Sequence, residues 1–164
     1  MERIWSPWRF AYVTRADEAG GCVFCEAPSR DAARALVVHE GPTAFIILNL
    51  YPYNSGHLMV VPRRHVAGLA LLSRDELTEL AVLTQMAERA LTEAYRPQGI
   101  NVGMNLGRPA GAGIADHLHV HLVPRWTGDT NFMTVVGEVR VLPEELPATA
   151  DKLRPIFQRL ATDL

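Results

Sequence analysis

Three of the six histidines of this chain fall within five residues, in D-H-L-H-V-H-L-V-P-R, residues 116–125. On an extended strand, successive side chains point to opposite faces. His117, His119 and His121 would therefore share one face. Leu118, Val120 and Leu122 would share the other, which has the character of a core face. Neutral imidazole ligates metals, protonated imidazole binds anions, and a ring nitrogen can act as a nucleophile near neutral pH. Three imidazoles aimed into one space suit a site that handles metal and phosphate. The rival readings are a solvated polar strand face and a plain three-histidine metal site of the kind found in barrels. The C-x-x-C pair and the long helix described below argue against a barrel.

The only cysteines are Cys22 and Cys25. In a reducing compartment such a pair is metal-binding or redox-active rather than a structural disulfide. No thioredoxin-like βαβ pattern surrounds it. Two cysteines leave a zinc site half built, because structural zinc takes four N or S ligands.

The elements that must carry these residues can be read from periodicity and punctuation. Leu36–His39 and Thr43–Leu50 read as strands. Y-P-Y-N-S-G, residues 51–56, is a turn signal, and His57–Val61, ended by Pro62, reads as the return strand of a hairpin. Ser73–Tyr95 is the clearest helix. Ser73 and Glu76 fit a capping box, Leu77, Leu80, Thr84, Ala87 and Leu91 give a face to bury, and Pro97 and Gly99 end it. Ile100–Leu106 is a further strand, followed by a Gly-rich loop over 107–113 and the histidine strand over His117–Val123. The tail from Pro143 reads as helical in part, interrupted by Pro155. Tight turns between strands favour antiparallel pairing. The fold expected is α+β, an antiparallel sheet with helices packed on it.

The 164 residues amount to one domain able to bury a core without staples. Hydrophobic residues are 48% and charged residues 21%, which is globular composition. A net charge of −2 gives no basic stripe for long nucleic acid. No apolar run is long enough for a signal peptide or a membrane span, which places the chain in the cytoplasm as an expectation.

H-L-H-V-H-L-V, residues 117–123, resembles the motif of the histidine triad family. N-L-Y-P-Y-N-S-G-H-L-M-V-V-P-R-R-H, residues 49–65, is similar to that family's nucleotide-lining hairpin. W-S-P-W-R near the start and P-R-W-x-G-D-x-N-F, residues 124–132, resemble its bacterial diadenosine tetraphosphate phosphorylase branch. The resemblance implies a five-stranded antiparallel sheet with a long helix and a C-terminal helix, in a homodimer. It implies a core over 22–125, an N-terminal extension over 1–21 and a C-terminal extension over 126–164.

For the chemistry, the resemblance implies that His119 attacks the α-phosphorus and forms a nucleotidyl-histidine, with His121 and His57 flanking the phosphate as hydrogen-bond donors. It assigns the ribose to Asn49, the base pocket to Ile47 and Leu48, and the phosphate side to Asn105, Gly107, Gly113 and Ile114, where backbone N–H groups can cradle an anion. It completes a structural zinc site from Cys22, Cys25, His65 and His117. Ala112, Gly113, Ile114 and Ala115 stand where many members carry amide or hydroxyl side chains, so backbone groups do that work or the acceptor differs. Trp5, Trp8, Arg9, Trp126 and Asn131 read as packing residues, with base stacking as the other reading. Arg108 reads as a solvated loop charge, with contact to a distal phosphate as the other reading. The functions in contention are cleavage of dinucleoside polyphosphates, hydrolysis of adenosine phosphoramidates, and nucleotide binding without catalysis.

Overall fold

A computed structural model describes residues 21–29, 31, 36–129 and 144–162. Trp5, Trp8, Arg9 and Asn131 lie outside these residues. Five strands form one antiparallel sheet: β1 (Val37–Glu40), β2 (Ala44–Leu48), β3 (Leu58–Pro62), β4 (Gly99–Gly103) and β5 (Val120–Arg125), in the order β1-β2-β3-β5-β4. A one-turn helix, α1 (Val23–Glu26), carries the second cysteine. The long helix α2 (Arg74–Tyr95) packs on β2, β3 and β5, and α3 (Leu146–Ala161) packs on β1 and α2.

Cross-strand neighbours in register share a face. Leu48, Leu58, Leu122 and Val102 form one such row, and the first three are core. One residue along, Ile47, Met59, His121 and Gly103 form a row on the opposite face. That second face carries the histidines.

The capping box of α2 is present. Ser73 Oγ accepts from the Glu76 N–H at 3.3 Å, and Glu76 accepts the Ser73 N–H at 2.7 Å. The helix ends at Arg96, whose φ of 45° is left-handed, just before Pro97. The buried stripe is Leu80, Leu83, Met86, Ala87, Ala90 and Leu91, whereas the expected Leu77 faces out.

Two expectations need correcting. The histidine strand begins at Val120 rather than at His117. The β3–β5 ladder runs from Leu58↔Leu122 to Val60↔Val120, and past Pro62 the chain turns away from the sheet. Residues 117–119 are held instead by single contacts: the Leu118 N–H donates to Val66 O at 2.6 Å, and the His117 ring bonds Pro62 O. Pro155 does not interrupt the last helix, which runs through it. A proline inside a helix costs one backbone hydrogen bond. Here it stands on the exposed side, where water can satisfy the freed carbonyl, while Leu153, Phe157 and Leu160 hold the helix against the core.

Candidate functional site

Two clusters meet at residues 117–121. In the first, Cys22 caps the start of α1, Cys25 lies within it, His65 follows β3, and His117 precedes β5. Their ligand atoms lie within 4.8 Å of one another. Cys22 Sγ is 3.3 Å from His117 Nδ1, and Cys25 Sγ is 3.2 Å from His65 Nδ1 and 3.5 Å from His117 Nδ1. Zinc bonds of about 2.3 Å to sulfur and about 2.0 Å to nitrogen set ligand separations of about 3.3–3.8 Å in a tetrahedron. The donor set fits that geometry. The buried His117 donates its Nε2–H to Pro62 O at 2.8 Å, which leaves the Nδ1 lone pair facing the sulfurs. Such an outer hydrogen bond orients a ligating imidazole. Burial, and then the neighbouring Cys22, push the Cys25 thiol up. A bound divalent cation is what makes a paired thiolate site favourable.

The second cluster holds His119, His121 and His57. His119 is 5% exposed, and its Nδ1–H donates to His117 O at 2.8 Å. The Nε2 of His119 therefore keeps its lone pair. Burial lowers the pKa of this ring, which favours the neutral form. The ring packs against Phe24 at 5.0 Å and stands edge-on to His121 at 4.8 Å. Phe24 also lies 5.4 Å from His117, so one of the two residues between the cysteines touches a metal-site ring and the neighbouring triad ring.

His57 and His121 form a directed pair. The Tyr53 N–H donates to His57 Nδ1 at 3.0 Å, so His57 carries its hydrogen on Nε2. That hydrogen points to His121 Nδ1 at 3.0 Å. His121 in turn carries its hydrogen on Nε2, as a donor. Asn49 Oδ1 accepts from the Tyr51 N–H at 2.9 Å, and its Nδ2 lies 3.4 Å from His57 Nδ1.

The structure thus brings together His57, His119, His121 and Asn49, with Ile47 on the same face of the sheet. Leu48 is in the opposite row and packs in the core with Leu58 and Leu122, away from the histidines. In the Gly-rich loop, Gly107 and Gly111 take positive φ of 84° and 99°. The Asn105 side chain donates to Gly111 O at 3.4 Å, and the N–H groups of Ala110, Gly111 and Ala112 close turns within the loop. Those three donors are spent on the loop itself rather than presented as an anion cradle. Gly113 and Ile114 are half-buried, Ile114 against the core.

Sequence reading missed Phe24, Tyr53 and the carbonyls of Pro62 and His117. Tyr53 lay inside a recognised turn block, but nothing in its type announces a backbone N–H aimed at a histidine. The carbonyls carry no signal in residue type at all.

The HIT domain profile matches residues 30–128. The chain belongs to the HIT family. It is 44% identical over 157 residues to an AP-4-A phosphorylase of Mycobacterium tuberculosis, covering 91% of this chain and 80% of that one. A Zn-bound histidine triad family protein from Mycobacterium smegmatis superposes with a TM-score of 0.69 at 26% identity, over 88% of this chain and 98% of the other. A hypothetical histidine triad nucleotide-binding protein from Sulfolobus tokodaii gives 0.69 at 27%, over 87% and 96%. This HIT protein is a nucleotide hydrolase or transferase of the histidine triad type. No helix among its described residues is long and apolar enough to cross a membrane.

Proposed function

We propose that this HIT protein cleaves dinucleoside polyphosphates at the α-phosphate through a covalent intermediate on His119. The observation that carries the reading is the fixed tautomer of that ring. With Nδ1–H held by His117 O, the Nε2 lone pair is the reactive atom, next to the donor His121. His119 Nε2 attacks the α-phosphorus, a P–N bond forms, and the bond to the bridging oxygen breaks. For diadenosine tetraphosphate the leaving group is ATP and the intermediate is an adenylyl-histidine. An oxygen of inorganic phosphate or of water then displaces His119, giving ADP or AMP. Dividing the displacement removes the need to hold acceptor and leaving group together. His121 Nε2–H supplies a donor for charge on the phosphoryl oxygens, the main requirement in such transfers. His57, expected as a second donor, spends its own Nε2–H on His121 and so orients that donor instead.

Asn49 is the ribose residue in this reading, Ile47 a wall of the base pocket, and residues 105–114 the phosphate side. Cys22, Cys25, His65 and His117 would hold a structural zinc, which ties α1 to the sheet. A second copy of the chain is the partner, joined at the β4 edge. The 44% identity to an AP-4-A phosphorylase favours phosphate as acceptor.

Incubation with diadenosine tetraphosphate, with and without phosphate, tests the reading. ADP with ATP identifies phosphate as acceptor, and AMP with ATP identifies water. His119→Ala is expected to lower kcat by at least about 10³-fold, the usual scale for loss of a nucleophile. Unchanged turnover by His119→Ala would remove the covalent step. No product in either buffer would move adenosine phosphoramidates or pure binding ahead.

A further inference from the structure

The β3–β5 ladder stops at Leu58↔Leu122, yet β5 runs on to Arg125 with only β4 beside it. On the other side of its last residues lies the 51–56 turn. Asn54, which is buried, takes the place of a strand partner there. Its Nδ2 donates to Pro124 O at 3.0 Å and to Asp129 Oδ2 at 2.8 Å. Asp129 has a side chain only 8% exposed and gathers further donors: Arg125 Nε at 2.6 Å, Arg125 Nη2 at 2.8 Å and the Trp126 N–H at 3.2 Å. Arg125 reaches on to Asn101 Oδ1 of β4 at 3.1 Å. One carboxylate therefore ties the hairpin turn to the end of the strand that carries His121.

The same turn sets the hydrogen positions of the histidine pair. Asn54 O accepts the His57 N–H at 3.2 Å, and the adjacent Tyr53 N–H fixes the His57 tautomer. We propose that Asp129 is a positioning residue which, through Asn54, locks the Tyr53 N–H onto His57 and so keeps the His57–His121 pair in one tautomeric order. The lock acts on the acceptor and donor pattern presented to a phosphoryl oxygen. Its catalytic consequence rests on the reading of that pair given above. Its structural consequence does not. A bidentate Arg–carboxylate pair has the rigidity such a role needs. Without it, Tyr53 N–H and His57 Nδ1 lose their fixed separation, and both His57 tautomers become populated.

The experiment is imidazole ¹⁵N NMR on the full chain, wild type against Asp129→Ala and Asn54→Ala, with steady-state kinetics on diadenosine tetraphosphate. The wild type is expected to show His57 as a single Nε2–H tautomer. In either variant the two His57 nitrogen shifts move toward each other. Turnover falls about ten- to hundred-fold while KM changes by less than about threefold, the pattern of a group mispositioned for the chemical step. The double variant is expected to lose no more than the worse single one, because both cut the same link. If Asp129→Ala does not fold, Asn54→Ala breaks the link from the turn side. An unshifted His57 spectrum in folded variants would overturn the proposal whatever the turnover. Loss of melting temperature with kcat intact in the folded protein would also overturn it. If the wild type does not cleave the dinucleotide, the functional reading fails, and the NMR arm still decides the clamp.

Discussion

His117 serves two clusters with three different atoms. Its Nδ1 faces the cysteines, its Nε2–H is tied to Pro62, and its carbonyl orients His119. Other single residues carry comparable burdens. Gly56 turns the chain at φ +77°, and a Cβ there would lie 3.0 Å from Tyr95 Cε2 and 3.2 Å from Leu91 Cδ2. A non-glycine residue in that conformation costs about 1–2 kcal/mol before any clash. Gly56→Ala is expected to destabilise by about 2 kcal/mol and lower Tm by about 4–8 °C. A change within 1 °C of zero, on the order of experimental error, would contradict this. Glu76 is a second case. The Arg64 guanidinium, and then the Ser73 backbone, hold its carboxyl down at about 2, against an ordinary 4.5. A lowered folded-state pKa stabilises above the unfolded value, and that stabilisation is lost as pH falls from about 4.5 toward 2. Glu76→Gln keeps a capping side chain but removes the charge. Thermal melts between pH 2 and 6 should show the wild type more stable at pH 6 and the two proteins converging by about pH 2. A constant gap across that range would assign the contribution to the cap alone.

At the scale of elements, Arg64 links the Glu76 end of α2 to the segment that presents His65, with both guanidinium contacts at 2.8 Å. The short α1 contributes few buried residues of its own, chiefly Phe24. Its hold on the sheet must then come largely from the cysteines. If zinc fills the four-ligand site, free zinc at a hundredfold excess over its Kd adds about 2.7 kcal/mol. Chelation is then expected to lower Tm by about 5–11 °C. Protein purified without chelator should carry one zinc per chain by elemental analysis, and Cys22→Ser should carry much less. Zinc-free protein with an unchanged melt would contradict this. The elements themselves were largely legible in sequence. The hairpin, the capping box and the period-two histidines all rest on local chemistry. The start of β5 was not, because whether His117 pairs depends on where β3 leaves the sheet at Pro62, 55 residues earlier. Pro155 was misleading because its cost depends on which side of the helix faces water. Leu48 and Ile47 are both apolar, and only strand register separates a core residue from one on the histidine face.

At the scale of the whole molecule, the two edges of the sheet differ. Beyond β1, α3 covers the strand: Arg154 reaches Val37 O at 3.4 Å, and Phe157 stacks on His39 at 5.8 Å. β4 is almost wholly exposed, with Val102 at 51%, and among the described residues no strand pairs with its outer edge, which makes it a template for another strand. A monomer exposing an apolar edge strand would normally carry lysine or proline on it, and G-I-N-V-G has neither. A second copy of the same chain would satisfy the β4 edge of each copy at once by two-fold pairing, since an isologous contact sets the same strand against itself. The expected outcome is a mass of twice the chain by light scattering during size exclusion. Val102→Lys sets two like charges near the shared axis and should shift the mass toward one chain, with the far-UV spectrum unchanged. A wild-type mass of one chain would refute the pairing. A variant that stays dimeric would move the interface from β4 to another face, the outward side of α2 with Leu77 being the next candidate.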